Sequence, residues 1–427
     1  MTAFLILGAV VALIALGLPV AVAIGGTGIV LYLLADQAMV LPMLPQRMYA
    51  AGTSFTLLAI PFFVMAGTIM NTAGITDRLF RLASVMVGRM RGGLGQVNVL
   101  ASLLFSGMSG AAVADAAGLG EVEIRAMQKS GYGLGFSAAV TAASSTIGPI
   151  FPPSVPFVIY GGITGVSVVQ LFLAGVVPGL LMTAVMMVVV AVTARLRNYP
   201  REARPTLREA TVAVLGGVLP LGAPALLIGG LLGGLFTPTE AGVVACAYAL
   251  FLGMVVYREI TWRHLPGILW STARSTAVIM FVIAASGFFG WMLTHQRVPD
   301  ALVSGLLSVA DGPMAATMLM LAVLLVLGMF IEGVAIIVIT TPLFMPVVQH
   351  FGIDPLQFGV MLVLTTAIGL LTPPVGMVLF AICTVCRVRM GELVAELWPY
   401  LLGILVVTLL VAFIPAVSTL LPHYWAR

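Results

Sequence analysis

Charge is scarce in this sequence. Only 8% of its 427 residues are Asp, Glu, Lys or Arg, against 61% hydrophobic residues, and the mean hydropathy is +1.17. Soluble domains carry about 25% charged residues, so a chain of this length folded in water would leave most of its surface uncharged. That excludes a soluble globular class and leaves a polytopic membrane protein. At about 20 residues per crossing, there is room for roughly ten to twelve spanning or re-entrant segments. Cysteine is nearly absent as well. Cys246, Cys383 and Cys386 lie in or beside apolar runs, and the CxxC spacing of the last two has no second pair, so all three read as core filling. No HExxH zinc signature and no GxxxxGK[ST] phosphate loop occurs, and His264, His295, His350 and His423 are far apart. A membrane enzyme and ATP-driven transport by this chain are therefore disfavoured. The net charge of +4 comes from basic residues scattered at the edges of apolar runs, a pattern that orients a membrane protein and speaks against a nucleic-acid partner.

What the chain has in excess is glycine, 47 residues, and proline, 25. Both mark helix breaks where non-helical backbone lines a polar cavity. Apolar segments fall at 3–34, 53–73, 94–128, 131–164, 168–194, 211–233, 236–257, 271–293, 313–350, 355–386 and 397–420, the first reading as one tilted helix or two short ones. The opening lacks a basic n-region and runs straight into further apolar sequence, which argues against a cleaved signal peptide. If 94–128 and 313–350 enter and leave on one side as hairpins, sixteen of the 19 Lys and Arg fall on one face, leaving Arg47, Arg297 and Arg427 on the other. This count includes Arg274, read as lying just inside the start of its helix. The positive-inside rule makes the crowded face cytoplasmic. The C-terminus is then outside and the N-terminus inside, the latter only if 3–34 crosses once and not twice.

The second half echoes the first at a shift of 221. Ser144-Ser145-Thr146-Ile147-Gly148-Pro149-Ile150-Phe151-Pro152-Pro153 falls on Thr365-Thr366-Ala367-Ile368-Gly369-Leu370-Leu371-Thr372-Pro373-Pro374, Gly107 on Gly328, and Pro178 on Pro399. Under the charge-based topology the two units meet the membrane in opposite directions, the plan of many secondary transporters. The fold class expected is thus an all-α polytopic membrane protein built of inverted repeats, each with a re-entrant helical hairpin and an interrupted helix. The expected divisions are 1–52, an N-terminal membrane segment with its external connection; 53–194, the first repeat, with hairpin 94–128 and interrupted helix 131–164; 195–210, a basic cytoplasmic linker; 211–270, linking scaffold helices; and 271–427, the second repeat, with hairpin 313–350 and interrupted helix 355–386.

The prolines at Pro152, Pro153, Pro373 and Pro374 should each end one half-helix and start another. Freed carbonyls, joined by the hydroxyls of Ser144, Ser145, Thr365 and Thr366, offer hard oxygen ligands to a small cation. The opposing half-helix N-termini suit carboxylate groups of a substrate. The competing reading is that these hydroxyls only bond back to helix carbonyls. The hairpins bring a second polar set to the same level: Ser106-Gly107-Met108-Ser109-Gly110-Ala111, followed by Asp115, and Gly328-Met329-Phe330-Ile331-Glu332-Gly333. Buried carboxylates are costly in a membrane, which makes Asp115 and Glu332 candidates, although Glu332 also suits a helix cap. Thr237, Pro238 and Glu240 have the pattern of a capping box with proline at N1, a structural role. Polarity concentrated at two symmetric breaks fits alternating access better than a continuous pore or a non-transporting scaffold.

These segments resemble a known family. Pro61 to Gly67, Phe105 to Gly118, Ile147 to Ser154, Phe236 to Ala241, Gly328 to Glu332 and Gly369 to Pro374 occur in the order found in the large membrane subunit of tripartite ATP-independent periplasmic (TRAP) transporters, the DctM-like family. The resemblance implies a multi-pass protein of the bacterial inner membrane, a sodium-coupled, elevator-type importer of an organic acid with no other cofactor. A C4-dicarboxylate leads the expected substrates, with sialic acid, sugar acids and keto acids behind it. It implies two partners, a separate four-helix DctQ-like small membrane subunit and a DctP-like periplasmic substrate-binding protein. It places sodium around Ser106, Gly107, Ser109, Ser144, Ser145, Gly148, Gly328, Glu332, Thr365, Thr366 and Gly369. Substrate or helix-break roles go to Pro152, Pro153, Ser154, Thr372, Pro373 and Pro374. Met108 departs from the family pattern, which more often has serine there.

Overall fold

The computed structural model describes residues 2–34, 38–109, 112–118, 120–202, 205–307, 310 and 312–425; Asp311 and the tip residues Gly110 and Ala111 lie outside them. All regular structure among the described residues is helical. The chain opens with α1 (Thr2–Ala15) and α2 (Val20–Leu34), separated by Leu16 to Pro19, so the first apolar segment is two helices. At about 1.5 Å per residue each is roughly 21 Å long, shorter than the ~30 Å hydrocarbon core. Helix α3 (Met43–Gly52) follows, then α4 (Ala59–Thr72) and α5 (Ile75–Val87), joined at Gly74 in the left-handed conformation.

The first hairpin region comprises α6 (Gly93–Ser109), a short α7 (Ala112–Gly118) and α8 (Gly120–Lys129), one helix more than a plain hairpin. The interrupted helix is α9 (Leu134–Ser145) and α10 (Val155–Thr164), and α11 (Val168–Leu196) carries Pro178 within it. Helices α12 (Leu207–Leu232) and α13 (Pro238–Phe251) connect the halves, the latter running into a wider turn over Leu252–Val256.

The element order then recurs. Helices α14 (Leu265–His295) and α15 (Val298–Leu307) are joined at left-handed Arg297. They precede α16 (Pro313–Gly328) and α17 (Gly333–His350), the split pair α18 (Pro355–Leu370) and α19 (Met377–Cys386), and α20 (Met390–Phe413), which holds Pro399 as α11 holds Pro178. A last helix, α21 (Ala416–Trp425), follows Pro415. Three segment edges differ from the hydropathy reading. Helix α14 begins at Leu265, so Arg274 lies more than two turns inside it, and α20 begins at Met390. The segment expected at 397–420 is broken before Pro415, which clashes with a continuing turn. Hydropathy misses such edges because Pro and polar residues are at home in the first turn of a helix.

Seven helices among the described residues are long and apolar enough to cross a membrane, and the shorter apolar ones include both split pairs. Exposed Val188 and Val192 on α11, Leu215 and Leu219 on α12, and Leu402 and Val406 on α20 cover the outside with apolar side chains. That is the inverse of a soluble surface and the match of a lipid environment. The interior is closed by side chains from both halves: Tyr160 at 0% exposure sends its hydroxyl from α10 to Pro355 O at the start of α18, 2.8 Å away.

Candidate functional site

Helix α9 ends at Ser145 and α10 starts at Val155, leaving residues 146–154 as a chain of turns; α18 ends at Leu370 and α19 starts at Met377. The peptide bonds Pro152–Pro153 and Pro373–Pro374 are both cis. Ser154 caps α10: its hydroxyl donates to Pro149 O and accepts from Phe157 N at 3.3 Å. In the second break the equivalent cap is backbone only, Gly376 in the left-handed conformation at φ +50°. Thr372 donates to Ile368 O at 2.7 Å.

The four hydroxyls proposed as cation ligands are buried and all donate. Ser145 bonds Ala142 O at 2.9 Å, Thr365 bonds Met361 O at 2.7 Å and Thr366 bonds Val363 O at 2.7 Å. Ser144 donates toward Asn98 Oδ1 at 2.7 Å, with Thr141 O at 3.1 Å. A hydroxyl that spends its proton on a carbonyl keeps its lone pairs, so back-bonding and cation ligation are compatible. Ser106, fully buried, bonds Leu103 O at 2.6 Å. The surroundings of Gly107 and the side chains of Met108 and Ser109 lie outside what is described.

The second hairpin tip closes directly on the second break. Val375 N donates to Met329 O at 3.2 Å. Gly328 and Gly369 are so close that a Cβ on Gly369 would stand 2.6 Å from Gly328 Cα. Glu332 is the N-cap of α17 and accepts from Ala335 N at 3.2 Å. Gly148 N bonds Ser145 O at 3.3 Å within the first break.

Both breaks and the second tip, with Ala112 and Val113 from α7, open onto one cavity of about 560 Å³. Its wall includes Pro149 and Val155 from the first break, Glu332 and Gly333 from the second tip, and Thr366 from α18. The far wall is Val278, Ile279, Phe281 and Val282 of α14 and Pro19 to Ala21 at the start of α2, which sequence reading did not connect to the site. No Lys or Arg is among the cavity's described lining residues. Thr237 and Glu240 stand elsewhere, as a capping box on α13: Thr237 N donates to Glu240 Oε2 at 2.8 Å, and Glu240 N to Thr237 Oγ1 at 3.4 Å.

Asn98 is the residue that sequence reading missed. At 0% exposure, it donates to Thr141 Oγ1 at 2.6 Å and accepts from Ser144, tying the hairpin arm α6 to the interrupted helix. Two amides, Gln96 and Asn98, in an otherwise apolar run were the available signal, since a buried amide requires partners.

Residues 7–417 match the family described as "Tripartite ATP-independent periplasmic transporter, DctM component". The chain belongs to this DctM family. It is 43% identical over 378 residues to the sialic acid TRAP transporter large permease protein SiaM of Vibrio cholerae, covering 88% of each. Over the full length of both chains it is 38% identical to the 2,3-diketo-L-gulonate TRAP transporter large permease protein YiaN of Escherichia coli. It is 37% identical to the C4-dicarboxylate TRAP transporter large permease protein DctM of Pseudomonas aeruginosa, again over 88% of each. Among solved structures, the fold resembles that of the Alcanivorax borkumensis YdaH transporter, with TM-score 0.62 at 15% identity over 88% of both chains. The chain is therefore the large permease component of a tripartite transporter. It is a multi-pass inner-membrane protein with a transport role rather than an enzymatic one.

Proposed function

We propose that this DctM-family permease imports an organic acid by sodium symport, through the cavity where the two breaks meet. One observation carries the reading. The cavity of about 560 Å³ sets the Thr366 hydroxyl and the Glu332 carboxyl among apolar side chains beside two half-helix N-termini, α10 and α17, with no Lys or Arg among its described lining. Aligned amides at helix N-termini suit a carboxylate. Carbonyls and hydroxyls at the C-terminal ends of α9 and α18 suit a monovalent cation, and together the two keep the loaded site close to neutral. Sodium lies around Ser106, Gly107, Ser109, Ser144, Ser145 and Gly148 in one repeat, and Gly328, Glu332, Thr365, Thr366 and Gly369 in the other. Substrate lies in the cavity against Pro149, Val155 and Thr366, while Pro152, Pro153, Ser154, Thr372, Pro373 and Pro374, which are not among its described lining, shape the breaks beside it. The relatives' printed names share a carboxylate rather than a carbon skeleton, so the substrate class is an organic acid. C4-dicarboxylates, sialic acid, sugar acids and keto acids all fall within it.

The two repeats are inverted, with α6 to α8 and α16–α17 as re-entrant hairpins opening from opposite faces. The hairpins and interrupted helices form one body that moves past a frame of α12 to α14. The repeated element order and the distribution of basic residues, fifteen to three once Arg274 is set aside as lying inside α14, support this arrangement. A small DctQ-like membrane subunit and a DctP-like binding protein complete the system. The test is uptake of labelled C4-dicarboxylate and sialate into proteoliposomes holding all three components, with and without an inward sodium gradient. Concentrative uptake of an acid only with the gradient is expected; equal accumulation without sodium would refute symport.

A further inference from the structure

Away from the transport cavity, three arginines converge on a second one. Arg91, Arg195 and Arg201, with Ala194, Asn198 and Tyr199, line a cavity of about 410 Å³ where the turn before α6 meets the end of α11. No acidic residue is among its lining, and none of the three guanidiniums forms an ion pair among the described residues. The neighbouring acids are engaged elsewhere: Glu396 holds Arg197 at 2.9 Å, and Glu202 faces a separate cavity with Arg81 and Arg208.

The pocket has a fixed backbone. Tyr199 packs on Tyr132 and Phe136 with ring centroids 4.7 and 4.9 Å apart, and the Tyr132 hydroxyl donates to Pro200 O at 2.8 Å. Burial pushes the Tyr132 phenol up to about 12, so it keeps that proton and brings no negative charge. Glu202 N donates to Gly88 O at 3.1 Å, clamping the 199–202 stretch to the turn before α6. Gly92, at φ +79°, lets that turn press against α11, since a Cβ there would lie 2.8 Å from Ala194 Cβ.

The three guanidiniums, all exposed, converge on one open volume, and an anion with several acceptor oxygens can accept hydrogen bonds from more than one of them at once. Helix α11 ends at Leu196 after an apolar run long enough to cross the bilayer, which sets the pocket at headgroup level on the face rich in Lys and Arg. We infer that this pocket binds a phosphate group, and that its occupant is the headgroup of an anionic phospholipid. Basic pockets between membrane helices on the cytoplasmic side are suited to such headgroups. A soluble phosphate offers the same oxygens without the acyl chains that would lie along exposed Val188 and Val192 of α11.

The experiment measures phosphatidylglycerol retained by the full-length purified chain in native mass spectrometry. Phosphatidylcholine serves as the neutral lipid and inorganic phosphate as the soluble competitor. Each juxtamembrane arginine contributes roughly severalfold to anionic-lipid affinity, so R91Q/R195Q/R201Q should bind phosphatidylglycerol at least about tenfold more weakly. R91K/R195K/R201K should retain most of the binding, and R258Q/R263Q, which removes two basic residues outside the pocket, should bind as the parent does. If the triple glutamine chain does not fold, R195Q alone should still show a severalfold loss. Equal losses in the pocket and control variants would reduce the effect to general surface charge and overturn the pocket. Inorganic phosphate binding as tightly as phosphatidylglycerol would overturn the lipid as occupant, as would equal retention of phosphatidylcholine.

Discussion

Gly328 at the end of α16 and Gly369 in the last turn of α18 touch backbone to backbone. A methyl on Gly369 would stand 2.6 Å from the Gly328 Cα, where only backbone could yield. One on Gly328 would meet Gly369 Cα at 3.1 Å, a milder encroachment. This contact fixes the second hairpin tip on the second break and so sets the spacing of the oxygens between them.

Gly369→Ala should therefore abolish sodium-coupled uptake while the chain still inserts, with overpacking costing about 1–3 kcal/mol. Gly328→Ala should retain partial uptake. Uptake and thermal unfolding measured side by side check the order, and a fully active Gly369→Ala would contradict it.

Asn98 should behave as part of the first break although it lies on the hairpin arm. Removing its amide leaves Ser144 without its nearest acceptor and Thr141 without its donor, so Asn98→Ala should cost about 1–3 kcal/mol. It should also weaken the sodium dependence of uptake in the same sense as Ser144→Ala, Ser145→Ala, Thr365→Ala and Thr366→Ala. In a double-mutant cycle, Asn98→Ala and Ser144→Ala should couple by about 0.5–3 kcal/mol. Strict additivity, or unchanged sodium dependence in all five variants, would remove these side chains from the cation site.

Arg78, on α5, offers a contrast away from the cavity. It reaches Glu259 Oε1 at 2.8 Å and lies 3.8 Å from the Tyr257 ring centroid, joining α5 to the segment after α13. Partly exposed pairs of this kind contribute about 0.5 kcal/mol, and the ring adds about 0.5–1 kcal/mol. Arg78→Ala should lower the unfolding temperature slightly and leave the sodium concentration for half-maximal uptake unchanged. A shifted sodium response would mean that the ion pair takes part in coupling.

Cysteines placed at Arg125 and His350, in a chain lacking Cys246, Cys383 and Cys386, should label from opposite faces. Arg125, on α8, should react from the cytoplasm and His350, at the end of α17, from the periplasm. Labelling of Arg125 from the periplasm alone, with orientation fixed independently, would remove the first re-entrant hairpin.

The interrupted helices were legible in sequence because prolines announce themselves in an apolar run, and the 221-residue shift located both breaks. Their partners were harder to read. Val278, Ile279, Phe281 and Val282 of α14 line the cavity as ordinary apolar side chains, which carry no sign of position until helices pack. The resemblance placed both Gly328 and Gly369 near the sodium site, but that they meet backbone to backbone depends on how α16 packs on α18, which joins residues far apart in the chain. Asn98 was passed over because it repeats in no motif. The hydroxyls of Ser144 and Thr365 were found by spacing, but their donation to carbonyls depends on helical geometry that spacing alone does not fix.

The central claim is that both hairpins and both breaks travel together past α12 to α14. Distance distributions between spin labels at Leu226 on α12 and at Val326 on α16, and between Leu226 and Val122 on α8, would follow that motion in the complete transporter. The account predicts that both distances shift together when sodium and loaded binding protein are added, while a pair spanning Val122 and Val326 keeps its separation. Unchanged distances to Leu226 through cycles that still deliver substrate would contradict it.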